Sequence, residues 1–74
     1  MIIQSVLFRN NVYNIPDCLK WLKTYNLNSN KVDKTLKFYR FRQVSPNFLR
    51  KEGYNHYITK TIDNGNILFI EAYK

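Results

Sequence analysis

Residues 37–44, Lys37-Phe38-Tyr39-Arg40-Phe41-Arg42-Gln43-Val44, alternate in the way that a β-strand requires, and the rest of the chain is organised around them. Successive side chains of a strand point to opposite faces of a sheet. Tyr39, Phe41 and Gln43 therefore share one face. The two arginines share the other face with Phe38 and Val44. One side of this strand can pack into a core, and the other can present aromatic rings and guanidinium groups to a partner.

The composition predicts one small folded domain that spans residues 1–74. Hydrophobic residues make up 45% of the chain and aromatic residues 16%, which is too rich for a disordered segment. The single cysteine, Cys18, has no partner for an internal disulfide and none for a zinc site with His56. Cys18 also falls on the apolar side of a predicted helix, so we expect a buried, inert thiol in a reducing, intracellular compartment.

The charge of the chain favours polyanionic partners. Twelve Lys and Arg against five Asp and Glu give a net charge of +7. Such an excess attracts nucleic acid first, and acidic proteins or anionic surfaces next. The apolar start, Met1 to Phe8, lacks the features of a signal peptide, and no apolar run approaches the ~20 residues that span a bilayer, so no membrane partner is expected.

Around the central strand, the pattern predicts one helix and three further strands. Ile2 to Phe8 has apolar residues on both faces, which indicates an inner strand. Asn14 is a predicted N-cap, with Pro16 in the first turn and Asp17 three residues after the cap. The helix should run from Ile15 to Tyr25 and bury a stripe at helical spacing, with Trp21 at its border; the members of the stripe are Ile15, Cys18, Leu19, Leu22 and Tyr25.

The second half of the chain predicts a hairpin. His56 to Ile62 and Ile67 to Tyr73 both alternate as strands, and Asp63-Asn64-Gly65 between them can form a type I′ turn. Residues 32–35 can begin the central strand or form an extended lead-in. Residues 48–55 are predicted to form a loop, which can contain one helical turn. The expected fold is α+β, in the order β-α-β-β-β, with one helix packed on a mostly antiparallel four-stranded sheet.

A single helix covers only one face of such a sheet, so the other face is expected to be open. We expect Tyr39, Phe41, Ile58, Leu68, Ile70 and Ala72 to face the helix. The open face should then carry the arginines of the central strand among aromatic rings; its members are Phe38, Arg40, Arg42, Tyr57, Phe69, Glu71 and Tyr73, with Thr59 and Thr61 beside them. Arginines among aromatic rings are what single-stranded nucleic acid binds.

The candidate binding residues follow from this face. Arg40 and Arg42 are expected to contact phosphate, while Phe38, Phe69 and Tyr73 stack on bases or pack. A further basic group, Arg50, Lys51 and Lys60, follows the central strand. Two alternatives stay open: the arginines pack on rings and pair with Glu71 in an ordinary amphipathic surface, or the face is buried against a second copy or another protein.

Nothing in the sequence indicates catalysis. His56 is the only histidine, and no Ser, Cys or paired carboxylate lies in a recognisable arrangement with it. The chain has no glycine-rich phosphate loop and no metal-ligand spacing. We therefore predict a non-enzymatic protein with no cofactor, no metal and no small-molecule substrate.

Several segments together resemble a family. Val32-Asp33-Lys34-Thr35, the "YRFRQ" run from Tyr39 to Gln43, Ser45-Pro46 and the segment from Lys60 to Ile70 resemble small uncharacterised "YRFRQ"-motif proteins of tailed phages and of large DNA viruses that infect amoebae (giant viruses). The likeness spans nearly the whole chain. The chain departs from the family where Asn66 follows Asn-Gly and where Glu71-Ala72-Tyr73 ends the last strand.

The resemblance implies a viral protein of the virion or the host cytoplasm. With the basic charge, it favours a small nucleic-acid-associated protein of low sequence specificity. The alternative is a protein-interaction or homo-oligomerisation module, such as a homodimer or a virion structural component.

Overall fold

Strand β1 (Ile2–Arg9) lies at the centre of the sheet in a computed structural model that describes all 74 residues. Five strands form the sheet in the order β2-β3-β1-β5-β4, and every neighbouring pair is antiparallel. After β1, the elements are α1 (Ile15–Thr24), β2 (Val32–Lys34), β3 (Phe38–Arg42), α2 (Pro46–Lys51), β4 (His56–Ile62) and β5 (Ile67–Tyr73). The predicted α+β class, the antiparallel sheet and the inner position of the first strand are confirmed.

Two elements were only partly predicted. Residues 32–34 form a separate edge strand, because Thr35 ends β2 with a tight turn in which its hydroxyl accepts from the Phe38 N–H. Ser45 caps a second helix, α2, by accepting from the Phe48 N–H, and Pro46 supplies a helical first residue. The order is therefore β-α-β-β-α-β-β, and the expected four-stranded sheet with one helix is corrected to five strands with two helices.

Helix α1 begins where the sequence predicts. The Asn14 side chain accepts from the Asp17 N–H, and the Asp17 carboxylate accepts from the Asn14 N–H, which completes a capping box. The predicted apolar stripe is partly wrong, because Leu19 and Tyr25 are exposed whereas Trp21 is half-buried in the core. The helix packs with its buried side centred on Cys18 and Leu22, which are fully buried.

The core between α1 and the sheet is built around Phe8. Its ring makes edge-to-face contacts with Tyr13, Trp21 and Phe41, at centroid distances of 5.6, 5.5 and 5.7 Å. Edge-to-face pairs are favoured by the ring quadrupoles and add about 0.5–1.5 kcal/mol each to the effect of burial. We call the side of the sheet that packs under α1 the α1 face; it includes Val6, Phe8, Phe41, Ile67 and, at its border, Phe69.

The other side of the sheet is only partly covered. Leu49 of α2 is fully buried, but it does not belong to the core under α1. Ser5 and Ala72 are also fully buried, and strand alternation points both away from α1. The connection from β3 to β4 has to pass over β1 and β5 at this end of the sheet. The burial of Leu49 outside the core under α1 therefore indicates that α2 packs on this side of the sheet, at the end that carries Ser5 and Ala72. Leu7, Leu68 and Ile70 on the same side are half-buried.

A β-bulge in β1 changes the direction of the Gln4 side chain. The register with β5 shifts between Ile3 and Ser5, so that Gln4 is the extra residue. A bulge redirects a side chain that would otherwise alternate. Ile3 packs at the border of the core under α1, whereas Gln4 and Ser5 both bond to an arginine on the opposite side.

The β4–β5 hairpin is confirmed, but its turn is longer than a two-residue turn. Ile62 pairs with Ile67, and the chain between them adopts positive φ at Asp63, Asn64 and Gly65, of 53, 56 and 81°. The Asp63 carboxylate accepts a hydrogen bond from the Tyr13 hydroxyl, and this bond raises the pKa of Tyr13 to about 12. The contact joins the hairpin turn to the loop before α1. Neither helix is long and apolar enough to cross a membrane.

Candidate functional site

Three arginines lie on the side of the sheet opposite α1, on the neighbouring strands β1 and β3. In the register of these strands, Leu7 pairs with Arg40, Ser5 with Arg42 and Arg9 with Phe38. All three arginines are half-buried. We call the surface formed by Arg9, Phe38, Arg40 and Arg42 the arginine face. Antiparallel pairing explains why residues 29 to 37 positions apart in the chain become neighbours.

Arg40 is held by neutral acceptors. Its Nε donates to the Ser5 hydroxyl at 3.2 Å, and its Nη2 donates to the Gln4 side-chain carbonyl at 3.4 Å. The Ser5 hydroxyl in turn donates to the same Gln4 oxygen at 3.3 Å. A guanidinium group has five N–H donors. The bulge therefore fixes Arg40 while most of its donors, and its whole charge, stay available to an anion.

Arg9 is held in a similar way. Its Nε donates to the Gly65 carbonyl at 3.2 Å, and its guanidinium carbon lies 5.1 Å from the centre of the Phe38 ring. This distance is within the range of a cation–π contact. One surface of the Phe38 ring is thus occupied by Arg9, and no carboxylate compensates the charge of Arg9.

Arg42 has the only acidic partner on this surface. Its Nη2 lies 3.8 Å from Asp33 on the edge strand β2, and the Asp33 side chain is 59% exposed. Exposed ion pairs of this length contribute little to stability. The buried Nε of Arg42 has no acceptor. Three positive charges against one negative charge leave the arginine face strongly electropositive.

The predicted binding residues divide into three groups. Phe38, Arg40 and Arg42 lie together on the arginine face, as the alternation of the central strand predicts. Arg50 and Lys51 are exposed on α2, where the Arg50 guanidinium donates to Asn47 within the helix. The remaining three residues, Lys60, Phe69 and Tyr73, lie elsewhere.

The predicted orientation of β5 is wrong. Phe69 packs at the border of the core, 5.8 Å from the Trp21 ring, and it lines an apolar cleft of about 320 Å³ beside α1. Alternation then places Glu71 and Tyr73 on the α1 face, and Leu68, Ile70 and Ala72 on the other side. The sequence does not decide between these two sets because both contain large apolar residues. The arginine face accordingly lacks the rings of Phe69 and Tyr73.

Glu71 is held on the α1 face by two neighbours. Its Oε1 accepts from the Tyr73 hydroxyl at 2.9 Å and lies 3.3 Å from the Lys60 ammonium group. The Tyr73 hydrogen bond, followed by the contact with Lys60, lowers the pKa of Glu71, and both partners have a raised pKa because of Glu71. Lys60 is therefore neutralised locally, and the alternative in which Glu71 pairs with the arginines is wrong.

This cluster predicts part of the acid sensitivity of the fold. A carboxyl group with a lowered pKa in the folded state stabilises that state above its unfolded pKa, and the contribution is lost as the pH falls through the folded pKa. We expect the unfolding free energy to fall below about pH 4.3, the ordinary pKa of a glutamate. Glu71→Gln should make this fall shallower, and Tyr73→Phe should do so partly. Urea unfolding from neutral pH to pH 3 measures it, and parallel profiles for wild type and Glu71→Gln would contradict it.

Sequence reasoning missed three residues of the site: Arg9, Gln4 and Ser5. Arg9 could have been found by extending the first strand by one residue, since it alternates with Leu7 and would lie opposite Phe38 in an antiparallel pair. Ser5 alternates with Leu7 in the same way. Gln4 carries no such signal, because the direction of its side chain depends on the bulge. The buried Cys18 has a pKa raised by burial to about 11, which leaves the thiol protonated and unreactive.

The chain matches no protein-family model, no curated protein and no solved structure. The resemblance to the "YRFRQ" proteins therefore stays a prediction from the sequence. No group of three or more His, Cys, Asp or Glu side chains is arranged to hold a metal ion.

Proposed function

We propose that the protein binds nucleic acid through the arginine face and that phosphate contacts from Arg9, Arg40 and Arg42 provide most of the affinity. The observation that carries the proposal is the fixed position of Arg9 and Arg40, whose neutral acceptors leave both charges uncompensated. Guanidinium groups that are already ordered lose less freedom when they grip a phosphate. The net charge of +7 adds long-range attraction for the same ligand.

We expect base stacking to contribute less to binding than the sequence predicts. Of the aromatic residues expected on the open face, Phe38 and Tyr57 lie there, and they sit on β3 and β4. Two strands separate β3 from β4, which puts these strands about 14 Å apart. The two residues also lie at opposite ends of the sheet, because Phe38 is level with Arg9 and Tyr57 is level with Ile2. Binding should therefore follow the phosphate backbone and read little sequence. With the resemblance to viral proteins, the proposal extends to a small basic protein that accompanies a genome in the virion or in host cytoplasm.

We expect Arg40→Ala with Arg42→Ala to weaken binding and to lower its salt dependence. Each phosphate contact that is lost should reduce the slope of log K against log salt by about 0.7 for a single strand and about 0.9 for a duplex. Fluorescence anisotropy with labelled single- and double-stranded DNA and RNA, titrated over a range of salt, measures both quantities. A second pair, Arg9→Ala with Arg40→Ala, tests the arginine that the sequence missed.

The matched control is Lys20→Ala with Lys23→Ala, which removes the same charge from exposed positions of α1. It should lower the affinity much less than the arginine pairs, because α1 lies on the other side of the sheet. Equal losses for both pairs would mean that binding depends only on total charge, and absence of binding at low salt would overturn the proposal. A variant that unfolds, monitored by circular dichroism, would make its arginines structural.

The alternative function, a protein-interaction or homo-oligomerisation module, is favoured by one observation on the same side of the sheet. Leu7, Leu68 and Ile70 lie there, half-buried, between the arginines and β4. An apolar area beside charged groups is typical of interfaces. If Arg40→Ala with Arg42→Ala dissociates an oligomer that forms without nucleic acid, this second function is the better one.

A further inference from the structure

The two edges of the sheet differ sharply. Edge strand β2 has only three residues, and two of them, Asp33 and Lys34, are charged. Short, charged edge strands are how proteins prevent pairing with another sheet. Edge strand β4 has seven residues, His56 to Ile62, all of them exposed, and contains no proline, no glycine and no bulge in its register with β5. β4 therefore offers a long, regular row of free main-chain groups.

The hydrogen-bond alternation identifies which main-chain groups of β4 are free. The Arg9 N–H donates to the Asn66 carbonyl at 2.9 Å, so Asn66 and then Leu68 turn their polar groups towards β1. Ile67, Phe69 and Glu71 must turn theirs towards β4, where they face Ile62, Lys60 and Ile58. The residues between these partners, Tyr57, Thr59 and Thr61, direct their N–H and carbonyl groups outwards.

We infer that β4 pairs antiparallel with β4 of a second copy of this chain, centred on Thr59, to give one continuous sheet of two molecules. In this register Thr59 lies opposite its own copy, and Tyr57 lies opposite Thr61 of the second copy. All three outward residues are then paired on both strands, with about six main-chain hydrogen bonds. A centre at Ile58 or at Lys60 would pair only two outward residues within the strand.

The side chains fit the same register. On the α1 face, Ile58 lies opposite Lys60 of the second copy, where the aliphatic part of the lysine can cover it. A centre at Lys60 would instead place two lysines directly opposite each other. Tyr57, Ile58 and Ile62 are 45, 39 and 42% exposed in the single chain, and pairing would cover part of each.

Charge also favours a second copy at this edge. The chain carries +7, but β4 contains one charged residue, Lys60, which pairs with Glu71 at 3.3 Å. The edge is locally neutral, so two copies can approach here without the repulsion that the arginines would cause elsewhere. The arginine face lies on β1 and β3 and stays accessible in the dimer, so this interface does not depend on the proposed function.

The test uses Thr59→Pro. Proline at an outward position removes no hydrogen bond to β5, and edge strands tolerate it there. At the centre of the interface it removes both central N–H donors, so the dimer Kd should rise at least about 10-fold. Thr59→Val keeps the N–H and the strand preference, so its Kd should stay within about threefold of wild type. Light scattering after size exclusion should give twice 9.0 kDa for wild type and for Thr59→Val.

Cysteine cross-linking tests the register and does not depend on Thr59→Pro folding. Copies of Thr59→Cys should form an intermolecular disulfide under mild oxidant, because residues paired in this way have Cα atoms about 5.5 Å apart. Thr61→Cys is the control, since its two copies would lie about 14 Å apart and should not react. The native Cys18 is fully buried and does not compete.

Three outcomes would overturn the inference. The first is a wild-type chain that remains a monomer up to millimolar concentration. The second is a folded Thr59→Pro variant that keeps the mass of a dimer. The third is a Thr61→Cys variant that cross-links as readily as Thr59→Cys. A dimer that only the arginine variants dissociate would place the interface on the arginine face and would equally exclude pairing through β4.

Discussion

Replacing Phe8 by alanine is expected to lower the free energy of unfolding by about 3–5 kcal/mol, the range found for large aromatic residues in a core. A 74-residue domain at ordinary stability per residue has roughly 4–11 kcal/mol in total, so this variant should lose about half of the stability of the fold at the middle of that range. The reason is the position of the ring. Phe8 is fully buried and makes edge-to-face contacts with three other aromatic rings, which lose their shared neighbour when it is removed.

The matched control is the same substitution at Phe48, whose side chain is 44% exposed on α2. Phe48→Ala should cost much less than Phe8→Ala. Urea unfolding followed by Trp21 fluorescence measures both variants, since Trp21 packs against Phe8 at 5.5 Å. Equal midpoints for Phe8→Ala and wild type would mean that the core is not centred on this ring.

Replacing Leu49 by alanine should cost about 2–5 kcal/mol, because Leu49 is the fully buried residue of α2. Its loss would leave a cavity between α2 and the end of the sheet that carries Ser5 and Ala72. The same end holds the Gln4–Ser5–Arg40 hydrogen bonds, so loosening α2 should also weaken binding at the arginine face. Urea unfolding gives the stability, and anisotropy at temperatures where the variant is folded gives the binding.

Leu36→Ala is the matched control for Leu49→Ala. Leu36 is 91% exposed before β3, so the same loss of three carbon atoms should change the unfolding free energy by no more than about 0.5 kcal/mol. A Leu49→Ala variant as stable as Leu36→Ala would show that α2 does not pack on the sheet. If Leu49→Ala left the stability unchanged but weakened binding, α2 would affect the site without contributing to the stability of the fold.

Local signals in the chain were strong enough to place several elements correctly. The strands His56–Ile62 and Ile67–Tyr73 were predicted to the residue, because each alternates and Asn64-Gly65 between them favours positive φ. The start of α1 at Ile15 was predicted for a similar reason, since the capping box from Asn14 to Asp17 lies within four residues. Interactions between residues that lie only a few positions apart can be predicted from the sequence alone.

Contacts between residues that are far apart in the sequence were harder to predict. Helix α2 has six residues, too few to show a helical period, and its burial depends on a sheet end formed by other strands. The bulge at Gln4 has no local signature, yet it positions the acceptors of Arg40. These features follow from how strands meet, which a linear pattern does not specify.

By itself, the sequence determined that this is a small basic α+β domain with an antiparallel sheet, and that Arg40 and Arg42 share a face with Phe38. Periodicity and charge depend only on the order of residues in the chain, so they can be identified from the sequence alone. Only the tertiary structure decided that Phe69 and Tyr73 turn towards α1 and that Arg9 joins the other arginines. Both sets of side chains on β5 are apolar enough to be buried, and the choice between them is made by packing against Trp21 and Phe8, which no single strand contains.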